Sequence, residues 1–322
     1  MVMAQALYKA LHIDSTSAQI HVVAPEWSRP LLSRMPQISA IHSLDVMHGE
    51  FGLAKRYALG KRLRPENFNQ AIVLPRSLKS SLVPWFANIP KRMGDIGEFR
   101  HGLLTNAFPS NRDKQVPNVC NYLRYIGIDA DVTQVKRQFA PELSVDIDNQ
   151  AKVLEENAIS SGTPLIACMV GAEYGPSKQW PVEHFAQMIR LLKQQGVNIC
   201  LLGSAKDVHV GEQIESLCAD PIINLCGKTS LLDVLDLLAM CKVAVSNDSG
   251  LMHIAAAVDT PVVAAYGATT PFYTPPLHSA AKSFYVKLEC SPCWQRTCQY
   301  GHYRCLKDIM PQDVYAAVIA RM

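Results

Sequence analysis

Short apolar runs alternate with stretches of helical period along nearly the whole sequence. This alternation restricts the chain to parallel sheets with helices on both faces, an α/β class. In the first half, residues 20–24, 38–44 and 71–74 read as strands, with helices at 51–63 and after Ser77. In the second half the strand candidates are 164–169, 197–202, 222–225, 243–245 and 262–265, with helices at 182–195, 231–240 and 251–257. A polar stretch at 129–157 divides the two sets. With 322 residues, two Rossmann-like domains are expected, 1–150 and 151–322. There is one irregularity. An α/β domain normally opens on a strand, but this sequence opens on a helix at 2–11, so the first N-terminal strand is expected to be missing. In a doubly wound sheet that strand is central, and ligands bind beside its C-terminal end.

Hydrophobic residues make up 48% and charged residues 18%, which excludes a disordered chain. No apolar run approaches the ~20 residues of a membrane span. The first ten residues lack the basic and apolar regions of a signal peptide. The expectation is a soluble cytoplasmic protein. Charge is uneven: residues 1–150 carry 18 basic against 13 acidic side chains, a net of +5, and residues 151–322 carry 13 against 15, a net of −2. Residues 28–100 alone carry 12 against 5, a net of +7. A basic first half suits an anionic partner or a membrane surface. Of ten cysteines, Cys120, Cys168, Cys200, Cys218, Cys226 and Cys241 are scattered, mostly in apolar contexts, and read as reduced core thiols.

Three segments at strand ends carry candidate chemistry. In Ser246-Asn247-Asp248-Ser249-Gly250-Leu251-Met252-His253 a buried strand runs into a helix. Asn247 or Asp248 is placed to cap that helix. Ser249 and Gly250 leave backbone N–H groups open at its start, where the helix dipole favours an anion such as a diphosphate. Ser249 and His253, four apart, share a helix face. In the segment 171–181 a loop follows a strand end, and Lys178 supplies a mobile point charge able to neutralise a phosphate. In Leu202-Gly203-Ser204-Ala205-Lys206-Asp207 a carboxylate at a strand end is positioned either to accept from ribose hydroxyls or to serve as an early-helix charge. Gly-Ser-Ala is no dinucleotide fingerprint, so NAD is not inferred.

These segments resemble the lipopolysaccharide heptosyltransferase family of GT-B glycosyltransferases. The likeness extends through Trp27-Ser28-Arg29-Pro30-Leu31-Leu32-Ser33-Arg34-Met35-Pro36, Leu74-Pro75-Arg76-Ser77-Leu78-Lys79-Ser80, residues 99–104 and Thr274-Pro275-Pro276-Leu277, nearly the whole chain. It implies a GT-B fold of two facing Rossmann-like domains, and an inverting, metal-independent transfer of L-glycero-D-manno-heptose from ADP-heptose to heptosyl-Kdo2-lipid A. It assigns Lys178, Asp248, Ser249, Gly250 and His253 to the donor phosphates and, on a looser alignment, Asp207 to the adenosine ribose. The acceptor would lie on the first domain, with Arg76, Lys79 and Arg100 as candidate contacts and Lys91 and Arg92 as alternatives. The family's proposed general base is an aspartate ending a first strand and loop. This sequence opens on the helix that follows, so the base is expected to be absent from the chain. Asp14, at the far end of the helix, is no substitute. The enzyme would work at the cytoplasmic face of the inner membrane of a Gram-negative cell, in peripheral contact with it.

The remaining motif is Cys290, Cys293, Cys298 and Cys305, spaced C-x2-C-x4-C-x6-C with His302 inside. The pattern reads as a structural zinc site, as reduced thiols or as a labile disulfide pair, and it takes no part in the chemistry. Basic residues do not cluster around it, which argues against nucleic acid as a partner. Two alternatives to the main reading stand. One is another heptosyltransferase of the family; the other is a nucleotide-sugar or lipopolysaccharide-binding protein without turnover.

Overall fold

The structure is a computed structural model and describes residues 1–47, 49–110, 113–160 and 162–322. It divides into two compact units. One holds Met1 and residues 6–131; the other holds Val2–Gln5 and residues 132–322. The division therefore falls some twenty residues before the expected boundary at 150. The reason lies in the helix Ile147–Glu156. Asp146 caps it by accepting from the N–H groups of Asp148 and Asn149. Asn149 and Gln150 then bond to buried Asp236 of the helix Leu231–Leu238 at 2.8 and 3.0 Å, fastening this stretch to the second unit. Gln5 joins the same unit by exchanging hydrogen bonds with the backbone of Glu142.

The first unit contains β1 (Ile20–Ala24), β2 (Ile38–Ser43), β3 (Gln70–Val73), β4 (Lys91–Asp95) and β5 (Asn106–Phe108). They form two separate parallel sheets, β1 with β2 and β3-β4-β5. A small apolar core of Leu59, Leu63, Val83, Ala87 and Ile89 packs beneath them. The strand ends are tied by a polar clamp. Arg100 is buried, and its guanidinium donates to Asp95 O at 2.8 and 2.5 Å, to Pro75 O at 2.7 Å and to the hydroxyls of Ser80 and Ser81 at 3.2 Å. It links the loop after β3 to the end of β4.

The second unit contains β6 (Leu165–Met169), β7 (Asn198–Leu202), β8 (Ile223–Asn224), β9 (Val243–Asn247), β10 (Val262–Tyr266) and β11 (Lys282–Tyr285). They make one parallel sheet in the order β11-β10-β9-β6-β7-β8. Every residue of β6, β9 and β10 is buried, as a sheet covered on both faces requires. Ile166, Cys168 and Val170 alternate onto one face. They pack there with Phe185, Met188, Ile189 and Leu192, which recur at helical spacing on the helix Val182–Lys193. The chain leaves β6 in one direction for β7 and β8, and returns beside it on the other side as β9. The topological switch point therefore lies between β6 and β9, the position where open α/β sheets bind ligands.

Candidate active site

The carboxyl ends of β6 and β9 bring the two strongest sequence motifs together. The side chain of Asn247, the last residue of β9, is buried and donates to Val170 O at 2.9 Å and Gly171 O at 3.2 Å, while its carbonyl oxygen accepts from Trp180 N at 2.9 Å. It fastens the loop after β6 to the end of β9 and does not cap the next helix, contrary to one sequence expectation. Asp248, the other expected cap, is occupied by Lys178, whose Nζ lies 2.5 Å from its Oδ2. The pair is largely shielded, with 15% and 5% of the two side chains exposed. Thr269 Oγ1 donates to the same carboxylate oxygen at 2.5 Å, and Asp248 N donates to Ala265 O at 3.2 Å. Lys178 also lies 5.0 Å from the centre of the Tyr174 ring, a cation–π contact.

The helix after β9 is Gly250–Ala257, with Ser249 at the N-cap position in extended conformation and making no side-chain cap. Its first N–H groups thus retain their donor capacity. A methyl group at Gly250 would meet nothing within 4 Å, so the space before the helix is open. His253 lies one turn in. Burial drives its pKa down to about 4, with the Asp248 carboxylate opposing that shift and Lys178 adding to it. The ring is neutral at pH 7 and presents an N–H donor without a charge of its own. A lysine ammonium, an open helix N-terminus and a neutral imidazole at these strand ends are donor types of the kind that bind a diphosphate.

Asp207 sits on the same sheet edge with a different role. Its Oδ2 accepts from Ser204 N at 2.8 Å and Ser204 Oγ at 2.7 Å, closing a capping box on the turn Ala205–Asp207. Its carboxylate fills the space that a side chain at Gly171 would take, 2.5 Å from the ideal Cβ position. Of the two readings the sequence offered, the early-helix charge describes these contacts.

The three acceptor candidates separate. Arg76 is 41% exposed and lies 2.9 Å from buried Asp95, which also accepts from Arg124 and, at 2.7 Å, from Tyr125. Lys79 is half-buried and donates to Glu50 O at 3.0 Å. Arg100 is corrected: it is interior, with all its nitrogens bonded to the chain, and acts as a structural clamp.

The four clustered cysteines all lie in the segment that follows β11, as free thiols, with Cys305 buried and the others half-buried. Burial would raise the Cys298 thiol, but the N–H groups of Tyr303, Tyr300, His302 and Gly301 together hold it below its ordinary value. Among the described residues, no group of three or more His, Cys, Asp or Glu side chains is placed to hold a metal ion.

Residues the sequence reading did not single out include Asn247 as a fastener, Tyr174 and Thr269. The last follows β10 on the same edge, and the strand end itself was the available signal.

The sequence profile of glycosyltransferase family 9 (heptosyltransferase) matches residues 56–304. The chain belongs to glycosyltransferase family 9. It is 39% identical to lipooligosaccharide heptosyltransferase 2 of Haemophilus influenzae, over 97% of this chain and 93% of that protein. Identity to lipopolysaccharide heptosyltransferase 2 of Salmonella typhimurium is 38%, over 98% and 92%. The solved structure of the Escherichia coli ADP-heptose LPS heptosyltransferase II superposes with a TM-score of 0.85 at 36% identity, covering 99% of this chain and 94% of that one. The E. coli heptosyltransferase WaaC with ADP, at 19% identity and a TM-score of 0.70, shares the fold. This family 9 glycosyltransferase therefore has the GT-B-like α/β fold, and the Lys178–Asp248 pair lies within its matched region.

Proposed function

We propose that this glycosyltransferase transfers L-glycero-D-manno-heptose from ADP-heptose to the heptosyl-Kdo2-lipid A inner core, with inversion at the anomeric carbon. The observation that carries the reading is the Lys178–Asp248 pair beside the open start of the helix Gly250–Ala257. An acceptor hydroxyl oxygen attacks the anomeric carbon of the heptose. The bond from that carbon to the β-phosphate oxygen breaks, ADP leaves with the electron pair, and the hydroxyl proton passes to a base. Negative charge grows on the departing diphosphate. Lys178 and the N–H groups at the helix start supply preorganised positive potential at that place, so the reaction as proposed takes no metal ion. Asp248 and Thr269 hold the lysine in position, and His253 adds a neutral donor.

Binding of the anionic acceptor is assigned to the first unit, with Arg76 and Lys79 as its contacts. The net +7 over residues 28–100 supports that assignment. Exposed Trp27 (70%) and Phe99 (94%) in the same unit support peripheral contact with a membrane, which this reading places at the cytoplasmic face of the inner membrane. No helix among the described residues is long and apolar enough to cross a membrane. Nucleic acid has no part in this reading.

The test is a transfer assay with ADP-heptose and purified heptosyl-Kdo2-lipid A, read by mass spectrometry. The expected product gains one heptose as ADP is released. ADP binding with no transfer to this acceptor or to its neighbours in the inner core would instead make the chain a nucleotide-sugar-binding protein.

A further inference from the structure

We propose that Cys290, Cys293, Cys298 and Cys305 form a tetrathiolate zinc site whose structural role is to brace the turn carrying Lys178. All four cysteines, with His302, line one cavity of about 20 Å³, large enough for a single ion or water. The thiols are free, so none is withdrawn into a disulfide. Four soft sulfur donors around one small cavity are the ligand set of a structural zinc centre.

The surroundings supply what such a centre requires beyond its ligands. Four thiolates around one divalent ion leave a net charge of −2, which needs hydrogen-bond donors nearby. His302 Nδ1 accepts from Arg304 N at 3.0 Å, which leaves Nε2 as the ring's N–H donor. That nitrogen faces Cys290 Sγ at 4.0 Å. His302 is therefore an outer donor to a thiolate and leaves the four sulfurs as the ligands. Cys305 is held in the helix Arg304–Lys307, while Cys290, Cys293 and Cys298 lie in residues 286–303, which contain no helix or strand, so these three sulfurs can draw in towards it to the ~2.3 Å of a zinc–sulfur bond without breaking a ladder.

The loop between the second and third cysteines grips the lysine turn. Ser177 N donates to Arg296 O at 3.2 Å, the Ser177 hydroxyl donates to Gln295 O, and Tyr174 OH donates to Trp294 O at 2.5 Å. Gly175 has φ +139, and a Cβ there would stand 2.7 Å from Arg296 O, so this close approach needs glycine. An ion holding Cys293 and Cys298 would fix residues 294–296 and, through them, the backbone of Lys178.

Metal analysis of the untagged full chain, purified under reducing conditions without chelator, tests this directly. The expected result is about one zinc per chain. Exchange for cobalt(II) should give the visible bands of a tetrahedral cobalt thiolate. Cys293→Ser should lose the metal, and His302→Gln should keep it with affinity lower by about 10–100-fold. Purified chain without stoichiometric metal, with four alkylatable thiols or a disulfide among them, overturns the site, and this result does not depend on any variant folding. One equivalent of iron would keep the tetrathiolate and overturn zinc as its occupant. Loss of metal in His302→Gln with retention in Cys293→Ser would overturn the ligand assignment.

Discussion

The two units are both parallel α/β assemblies, yet they hold their strand ends by different means. In the second unit six strands form one sheet, and strand ends are fixed by buried apolar ladders plus one amide, Asn247. In the first unit five strands form two smaller sheets, and the strand-end loops are held by Arg100 and by the carboxylate of Asp95. The difference bears on function. Where the ladder does the holding, the charged side chains at the sheet edge pair with one another, as Lys178 does with Asp248. Where charge does the holding, a cation in a basic segment can be wholly internal, as Arg100 is.

The comparison makes graded predictions. Lys178→Ala should have the largest effect, slowing transfer by about 10²–10³-fold in steady-state kinetics, the loss expected when a preorganised charge donor is removed. A normal turnover rate would mean that the second unit's edge is not the donor seat. Next comes Arg100→Ala, which leaves several buried carbonyl and hydroxyl groups without a donor at roughly 1–3 kcal/mol each. Urea denaturation should show a loss of about 3 kcal/mol or more. Arg76→Ala, at an exposed position, should cost about 1 kcal/mol or less in the same measurement while raising the acceptor KM. Equal stability losses for the two arginines would erase the distinction between clamp and contact.

His253 gives a pH test. Its pKa of about 4 in the folded chain lies below the ordinary value of about 6.5, so between these values the unfolded chain binds more protons. Stability should fall as pH drops from about 6.5 towards 4, and this part of the fall should vanish in His253→Gln. A diphosphate seated beside His253 favours the protonated ring, so ADP binding near pH 5.5 should take up protons, measurable by calorimetry in buffers of different ionisation enthalpy. The smallest effect on stability is expected for Gly250→Ala. The added methyl has free space, so stability should change by no more than about 1 kcal/mol, while donor KM rises because that space is the proposed phosphate seat.

Much of the second unit was legible in the sequence because its strands are continuous apolar runs. The runs at 164–169, 197–202 and 262–265 appear as β6, β7 and β10 within a residue or two at their ends. β4 was not legible. Lys91-Arg92-Met93-Gly94-Asp95 has one large apolar residue and pairs through backbone groups that no side-chain pattern reports. The site divided in the same way. The helix start at Ser249 and Gly250 is local information, and so is the spacing of Ser204 and Asp207 that produces a capping box. The pairing of Lys178 with Asp248 spans seventy positions and exists only because β6 and β9 are neighbours. Arg100 was read as an acceptor contact since nothing in its neighbours announces the carbonyls that surround it in the folded chain.

The central claim is that Lys178 and the start of the helix Gly250–Ala257 hold the donor's diphosphate. Calorimetric titration of ADP into the full-length chain and into Lys178→Ala, at the same pH and salt, tests it most directly. The account predicts binding to the unmodified protein and an affinity loss of tenfold or more in the variant. Equal affinities would contradict it and place the nucleotide elsewhere.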